Sequence, residues 1–221
     1  MTTADLELSP VVLSAPSGAG KTTIARALVE EESDFAFSVS ATTRGRRGLE
    51  VHGVDYWFIS HGQFRRMIDD GELAEWAEVH GELYGTPVSS LREASQGGRH
   101  VLLDIDVQGA RQIREAVPQA LLLFILPPSV EVLLARLRGR GTEKEADVQR
   151  RLRTALAELQ AAEAFDFFVI NDDLERAMQE VRYLARDRHP PEEGPSGSLE
   201  DALSLRSGVE ALLDHDSFSD R

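Results

Sequence analysis

Four short apolar runs divide the chain, and each is followed by polar residues and then by a stretch with helical spacing of apolar positions. The runs cover residues 11–15, 101–105, 120–126 and 167–170. Continuous apolar runs of this length indicate buried strands, and apolar residues three or four positions apart indicate helices packed on one face. Strands that alternate with helices predict an α/β fold, with a parallel sheet and helices on both of its faces.

Two internal segments depart from this alternation. Residues 36–90 contain short alternating stretches separated by glycine turns, which predicts a small mixed β insert. Residues 136–160 begin rich in arginine and glycine and end in an amphipathic pattern, so they are interpreted as a mobile helical lid. The remaining core segments are 1–35, 91–135 and 161–188.

The end of the chain has a different composition. After His189 it continues Pro-Pro-Glu-Glu-Gly-Pro-Ser-Gly-Ser, which is typical of a linker. Residues 190–221 contain eight acidic residues and two arginines. This composition predicts a disordered acidic tail over 189–221, although residues 199–213 keep the spacing of a short amphipathic helix.

Length and charge restrict the class of protein. The 221 residues are enough for one domain with a substantial core. The net charge of −14 argues against a nucleic-acid polymer as partner, because such binding draws on clustered lysine and arginine. The chain has no cysteine, no apolar run near the roughly 20 residues of a membrane helix, and no basic, apolar leader at its start. We expect a cytoplasmic protein that binds no membrane.

A glycine-rich segment after the first predicted strand carries the strongest chemical signal. Residues 15–22 match the phosphate-binding pattern GxxxxGK[ST] with alanine in the first position, and they lie between a strand and a helix as that motif requires. In this motif backbone N–H groups surround the β-phosphate, Lys21 bridges the β- and γ-phosphates, and Thr22 offers a hydroxyl to Mg²⁺. An incidental glycine-rich turn is the alternative. The predicted ATP-binding residues are Ala15, Pro16, Ser17, Gly18, Ala19, Gly20, Lys21 and Thr22.

Two aspartates, Asp104 and Asp106, lie at the end of the buried run at 101–105. Asp104 stands where phosphate-binding proteins place a carboxylate that holds the water shell of Mg²⁺. Asp106 lies two residues further and points the same way while the chain remains extended. The alternative is that the pair caps the following helix.

A series of short motifs follows in order along residues 8–186. These are Ser14-Ala-Pro-Ser-Gly-Ala-Gly-Lys-Thr, Phe37-Ser-Val-Ser-Ala-Thr-Thr-Arg44, Gly53-Val-Asp-Tyr-Trp-Phe58, Glu75-Trp-Ala, Tyr84-Gly-Thr86, Leu103-Asp-Ile-Asp-Val-Gln-Gly109, Pro127-Pro-Ser, Arg138-Gly-Arg-Gly-Thr142 and Ile170-Asn-Asp-Asp173. In them the chain resembles the guanylate kinase family. The resemblance implies a P-loop NTPase core with a GMP-binding insert and a lid. It also implies Mg²⁺-dependent phosphoryl transfer from ATP to GMP or dGMP, a step of purine nucleotide metabolism.

The resemblance also assigns residues to the GMP site. Two arginines and two tyrosines grip the GMP phosphate, and they correspond to Arg44, Arg47, Tyr56 and Tyr84. The adjacent Arg46 is the alternative to Arg47. The family spacing favours Arg47, although the segment 44–47 lacks the proline usual between the two arginines. Glu50 is expected to orient an arginine. The residues expected to read or adjoin the guanine base are Ser40, Glu75, Thr86 and Asp106. Without the resemblance, Glu75 is a solvated position in an alternating strand.

On the ATP side, the resemblance assigns three lid arginines, Arg136, Arg140 and Arg151. They are expected to close over the phosphates and neutralise charge that spreads during transfer, whereas a solvated basic face is the alternative. Asn171 is expected to touch the adenine side of ATP. The predicted catalytic residues are Lys21, Arg44, Arg136, Arg140 and Arg151.

Two other functions are compatible with parts of this pattern. A guanylate-kinase-like scaffold module binds proteins without catalysis, but such modules typically lose parts of the phosphate loop that this chain keeps. A kinase for another small acceptor, such as a sugar phosphate, would not need the base-reading residues Ser40, Glu75 and Thr86. We expect a monomer or a small homo-oligomer.

Overall fold

The computed structural model describes residues 9–79, 81–139 and 145–217. None of the helices in these ranges is both long and apolar enough to span a lipid bilayer. In chain order the elements are β1 (Val11–Ser14), α1 (Lys21–Glu31), β2 (Phe35–Phe37), β3 (Ala41–Thr42), β4 (Trp57–Phe58), α2 (His61–Asp69), β5 (Leu73–Val79), β6 (Glu82–Pro87), α3 (Val88–Ser95), β7 (His100–Asp104), α4 (Val107–Ala116), β8 (Leu121–Leu126), α5 (Val130–Arg138), α6 (Glu145–Leu159), β9 (Phe167–Ile170), α7 (Leu174–Asp187) and α8 (Leu199–Ser217).

The chain divides into two compact units. The first unit comprises Met1–Val12 and Val29–Leu121, and the second comprises Leu13–Leu28 and Leu122–Arg221. The division passes through β1, so each unit contains part of this strand. The described residues of the predicted insert 36–90 lie in the first unit, and those of the predicted lid 136–160 lie in the second.

The first unit contains strands of two sheets. One has the order β2-β7-β1, and β2 runs parallel to β7 with Phe35 opposite His100. The other is the four-stranded sheet β4-β3-β6-β5. In it β3 is parallel to β4 and antiparallel to β6, so the predicted mixed β arrangement is confirmed. Ala41, Phe64 and Leu83 form a buried core beside it.

The second unit contains the strand order β1-β8-β9. All six residues of β8 are buried, as the continuous apolar run predicted, and β8 is parallel to β9 with Leu123 opposite Phe167. The hydroxyl of Ser129 accepts from the N–H of Val132 at 3.3 Å and so caps the start of α5. The predicted α/β class is therefore correct, with parallel strands, intervening helices and a separate mixed sheet.

The prediction of disorder for the tail is wrong for its described residues. Helix α8 packs against α6 and α5, and its residues Ala202, Leu205 and Val209 are buried. A Cβ added at Gly208 in α8 would lie 2.5 Å from Val130 Cγ2 in α5, so these two helices approach each other closely there. The linker before α8 is also anchored, because Ser196 Oγ accepts from the Ile170 N–H at 2.9 Å. The apolar spacing in 199–213 was therefore the informative signal, and the linker composition was misleading.

Candidate active site

The phosphate loop of the second unit takes its shape from glycines. It connects β1 to α1, and Gly18 and Gly20 have φ of 92° and 95°. This left-handed region is accessible to glycine and unfavourable for other residues. A Cβ at Gly20 would also lie 2.3 Å from the side-chain nitrogen of Asn171. Both the backbone conformation and the close approach therefore require glycine at residue 20.

A single carbonyl inside the loop holds two side chains. Ala19 O accepts from Asn171 Nδ2 at 2.7 Å and from the Arg136 guanidinium at 3.0 Å. Arg136 also donates to Asn171 O at 2.9 Å. These bonds join the loop to α5 and to the residue after β9. The guanidinium charge of Arg136 consequently lies beside the predicted phosphate-binding loop.

A carboxylate from α6 also contacts the loop. Glu158 Oε2 accepts from the backbone N–H of Ser17 at 2.6 Å. The two residues are 141 positions apart, and the local pattern around Glu158 is an ordinary amphipathic helix. No pattern in the sequence points to a contact between Glu158 and the loop, so this residue was not predicted.

The remaining predicted ATP-side residues are placed as follows. Lys21 and Thr22 begin α1, with Lys21 half-buried and Thr22 exposed. Arg151 donates to Leu137 O at 2.9 Å, which joins α6 to α5. Arg140 lies outside the described residues. Ala15 and Pro16 are buried at the start of the loop, where Pro16 O accepts from Ala19 N at 3.0 Å.

In the first unit, Arg44 is the centre of a polar cluster. It is 8% exposed, and its guanidinium donates to both carboxylate oxygens of Glu50 at 2.9 and 2.8 Å. Its Nε donates to the Tyr84 hydroxyl at 3.1 Å, and the guanidinium carbon lies 5.3 Å from the centre of the Tyr56 ring. A bidentate pair of this kind fixes the plane and direction of the guanidinium. The expectation that Glu50 orients an arginine agrees with this pairing.

The charges of this cluster shift the pKa values of its members. The Arg44 hydrogen bond, with a further one from the Arg47 N–H, lowers the pKa of Glu50 from 4.5 to about 2. The bond to Glu50 raises the pKa of Arg44, although burial opposes the shift. Burial raises the pKa of the Tyr56 hydroxyl, and the charge of Asp104 raises it further. Near neutral pH, Glu50 is therefore ionised and Tyr56 keeps its proton for donation.

The neighbouring arginines differ in what they contact. Arg46 folds back and donates from Nε to the backbone oxygen of Glu50 at 3.0 Å, and a second nitrogen of its guanidinium donates to the same oxygen. Arg47 uses its backbone N–H on Glu50 Oε2 at 2.7 Å. Within the part of the chain that the structure describes, the exposed guanidinium of Arg47 donates no hydrogen bond. Of the two, Arg47 presents the more available cation.

The predicted base-reading residues lie mainly on the mixed sheet. Glu75 on β5 is 5% exposed, and its Oε1 accepts from the Thr86 hydroxyl at 2.6 Å. The two are directly opposite each other on the antiparallel strands β5 and β6. Ser40 precedes β3 and is half-buried, and its carbonyl accepts from the Trp57 N–H at 2.8 Å. The solvated-face alternative for Glu75 is therefore wrong.

The two aspartates after β7 have different environments. Asp104 ends the strand and is half-buried. Asp106 is the N-cap of α4, where Oδ1 accepts from the Gly109 N–H at 2.8 Å. The helix-capping alternative is therefore correct for Asp106, which uses one of its two carboxylate oxygens in the cap. In the described residues, no cluster of three histidine, aspartate or glutamate side chains is arranged to hold a metal ion.

Comparison with known proteins identifies the family. The family model described as guanylate kinase matches residues 7–187. The chain belongs to the guanylate kinase family. The match ends before α8, so the helix that corrects the predicted tail lies beyond the part shared with the family model.

Individual guanylate kinases are similar over the same region. That of Oleidesulfovibrio alaskensis is 52% identical over 182 residues, which cover 81% of this chain and 88% of the relative. That of Rhodococcus jostii is 48% identical over 188 residues, which cover 84% and 90%. The crystal structure of guanylate kinase from Anaplasma phagocytophilum matches with a TM-score of 0.65 and 33% identity, covering 84% of this chain and 88% of that one.

The guanylate kinase motifs separate cleanly between the two units. Every residue predicted to bind GMP lies in the first unit, together with Asp104. The phosphate loop, Asn171 and the lid arginines Arg136 and Arg151 lie in the second. Hydrogen bonds join Arg44 with Glu50 and Tyr84, and Glu75 with Thr86, in the first unit. In the second they join Arg136 and Asn171 with the loop.

Proposed function

We propose that this chain transfers the γ-phosphoryl group of ATP to the phosphate of GMP, giving ADP and GDP, and that it accepts dGMP as well. The observation that carries the proposal is the buried carboxylate of Glu75, held by Thr86 on the same small sheet from which Tyr84 contacts Arg44. A desolvated carboxylate bonded to Thr86, with Tyr84 two residues away on the same strand and bonded to the Arg44 guanidinium, suits a ligand with a hydrogen-bonding base and a phosphate.

The carboxylate distinguishes guanine from adenine. Guanine offers its N1–H and its 2-amino group as parallel donors, and both oxygens of Glu75 can accept them. Adenine has a lone pair at N1 and no amino group at C2, so it would leave a buried carboxylate facing an acceptor. Sites built in this way reject the mismatched analogue by about 10⁴-fold. A hydroxyl of Ser40 that donates to guanine O6 adds to this preference.

The phosphate of GMP is assigned to Arg44, Arg47, Tyr56 and Tyr84. Arg44 is already aligned by Glu50, which leaves one N–H of its guanidinium for the ligand. Arg47 is preferred to Arg46 because the Arg46 guanidinium is directed to the backbone of Glu50. Tyrosine hydroxyls donate hydrogen bonds without adding positive charge. Together with the two arginines they match the phosphate dianion and leave it part of its negative charge for the transfer reaction.

The phosphates of ATP are assigned to the loop at 15–22. Its N–H groups and the start of α1 attract the β-phosphate, and Lys21 stabilises charge that develops on the transferred group. Arg136, Arg140 and Arg151 are assigned as further positive charges for these phosphates. Transfer is direct and in line, and catalysis comes from holding both polyanions and excluding water. Asn171 is assigned to the adenine side of ATP.

Mg²⁺ is the cofactor that we assign to the reaction. Thr22 is an exposed residue in the first turn of α1, and Asp104 is a half-buried residue at the end of β7. Hard oxygen donors of this kind fit Mg²⁺, which usually keeps several waters and binds nucleotide phosphates. When bound, the ion supplies neutralisation of phosphate charge. A cytoplasmic location and a monomeric or small homo-oligomeric state stay predictions.

A panel of acceptors tests the function. The purified protein is given MgATP with GMP, dGMP, AMP, CMP and a sugar phosphate, and formation of ADP is followed. We expect rapid reaction with GMP and dGMP and very slow reaction with the others. Reaction with AMP or CMP within tenfold of GMP would contradict the base-reading assignment. Absence of reaction with every acceptor would favour the scaffold-module alternative.

A further inference from the structure

The carboxylate of Glu75 lies against helix α4 at a position where that helix has no side chain. A Cβ built on Gly109 would be 2.7 Å from Glu75 Oε2 and 3.2 Å from its Cδ. Ordinary van der Waals contact begins at about 3.4 Å, so any side chain at 109 would displace the carboxylate. The backbone of Gly109 is itself fixed, because its N–H donates to the Asp106 cap at 2.8 Å.

The same helix holds the backbone next to Glu75. Gln112 accepts from the Trp76 N–H at 3.1 Å and donates to the Trp76 carbonyl at 2.7 Å. Strand β5 is at the edge of the mixed sheet, so these backbone groups point away from β6. The Gln112 amide therefore replaces the missing neighbouring strand and ties β5 to α4.

We propose that Gly109 and Gln112 are positioning residues for guanine recognition, which act by fixing the place of the Glu75 carboxylate. Gly109 leaves the space that Oε2 occupies, and Gln112 holds the strand that carries Glu75 at a set distance from α4. Thr86 fixes the other oxygen, Oε1, from the opposite side. The inference rests on the proposed function, because it takes Glu75 as the reader of the base.

The first test is Gly109→Ala. Alanine is a better helix former than glycine, so α4 is expected to form, and the clash falls on a flexible side chain. We expect KM for GMP to rise about tenfold or more, as when a hydrogen bond to a charged group is weakened, with little change in kcat or in KM for ATP. The preference for GMP over IMP, which lacks the 2-amino group, should fall in parallel.

A matched control is Gly62→Ala. Gly62 is also a helical glycine, in α2, and an added Cβ there meets only Arg66 at 4.0 Å. This variant should keep the wild-type KM for GMP and the wild-type preference over IMP. If Gly109→Ala also kept both values while folding normally, the proposal would be overturned.

The second variant, Gln112→Met, keeps the length of the side chain and removes both hydrogen bonds to Trp76. It is expected to raise KM for GMP in the same direction, and it keeps the proposal testable should Gly109→Ala fail to fold. Wild-type values for Gln112→Met would contradict the role of Gln112. Melting temperatures of all variants separate loss of the fold from loss of position.

A double-mutant cycle decides whether these residues act through Glu75. In a Glu75→Ala background there is no carboxylate to displace, so Gly109→Ala should raise KM for GMP less than twofold. If turnover is too slow to give KM, the dissociation constant of GMP is measured by calorimetry instead. A full tenfold increase in that background would mean that Gly109 acts independently, which overturns the proposal. The wild-type acceptor panel tests the proposed function separately, so failure of one is distinguishable from failure of the other.

Discussion

The phosphate loop of the second unit and the Arg44 cluster of the first unit organise polar groups by different means. In the loop, two glycines with positive φ set the course of the backbone, and side chains donate to its carbonyl at Ala19. In the cluster, a guanidinium and a carboxylate pair directly, with a tyrosine hydroxyl alongside. The loop depends on backbone conformation, whereas the cluster depends on charge complementarity.

This difference has consequences for ligand binding. A loop shaped by its backbone is ready to surround a phosphate without breaking an ion pair. If a phosphate binds at the cluster as proposed, it shares Arg44 with Glu50, so the gain in free energy on binding is smaller and the guanidinium is more precisely aligned. We therefore expect substitutions in the loop to affect the rate of transfer, and substitutions in the first unit to affect acceptor choice and pH dependence.

The largest effect is expected for Lys21→Met. Lys21 is assigned to charge that grows during transfer, so its loss should lower kcat by about 10³-fold while the protein stays folded. Steady-state kinetics and circular dichroism measure the two quantities. Arg111→Met is a suitable control, since Arg111 has an 80% exposed side chain on α4 and should leave kcat unchanged. Near wild-type turnover of Lys21→Met would contradict the phosphate-loop assignment.

A smaller effect is expected for Glu75→Gln in the first unit. The amide keeps one acceptor but presents a donor where guanine also donates, so kcat/KM for GMP should fall by about 10²-fold, and discrimination against AMP should weaken. Glu78→Gln is the matched control, because Glu78 is exposed on the same strand. If both variants had wild-type kinetics with GMP and AMP, acceptor choice would not depend on the buried carboxylate.

The third prediction concerns stability of the second unit. Leu205 on α8 is 6% exposed, so Leu205→Ala should lower the free energy of unfolding by about 2–3 kcal/mol through lost burial and a cavity. Ser204→Ala, at an exposed position of the same helix, should have little effect. Urea unfolding curves measure both. Equal midpoints for the two variants would show that α8 does not contribute to the fold in solution.

The tail and the loop show what the sequence could and could not predict. The strand, glycine loop and helix start of the predicted phosphate loop were predictable because residues 14–22 carry the strand end, glycines, lysine and threonine in one contiguous segment. The docking of α8 was not predictable, since it packs on α5 and α6, which lie far away in the chain. The Gln112–Trp76 and Glu158–Ser17 bonds join residues 36 and 141 positions apart. Such pairs leave no local pattern.

The smallest expected effect is the pH dependence contributed by Glu50. Its pKa in the folded protein, about 2, is below the ordinary value of 4.5, so the folded state binds the proton less readily than the unfolded state. The ionised carboxylate therefore stabilises the fold above about pH 4.5, and this contribution is lost as the pH falls toward about 2. The effect is modest because the Glu50 side chain is 24% exposed and solvent screens the pair.

Glu50→Gln measures this contribution directly. At pH 7 the wild-type urea midpoint should exceed that of the variant. The difference should shrink at pH 4 and pH 3, since Glu50 takes up a proton in the unfolded state there while the folded carboxylate, with its lowered pKa, stays ionised. Glu78→Gln, on an exposed position, should show no such narrowing. A difference for Glu50→Gln that stayed constant over this range would mean that the carboxylate is held by shape and neutral hydrogen bonds. The cluster of the first unit would then resemble the loop of the second in how it is organised, and the comparison drawn between them would fail.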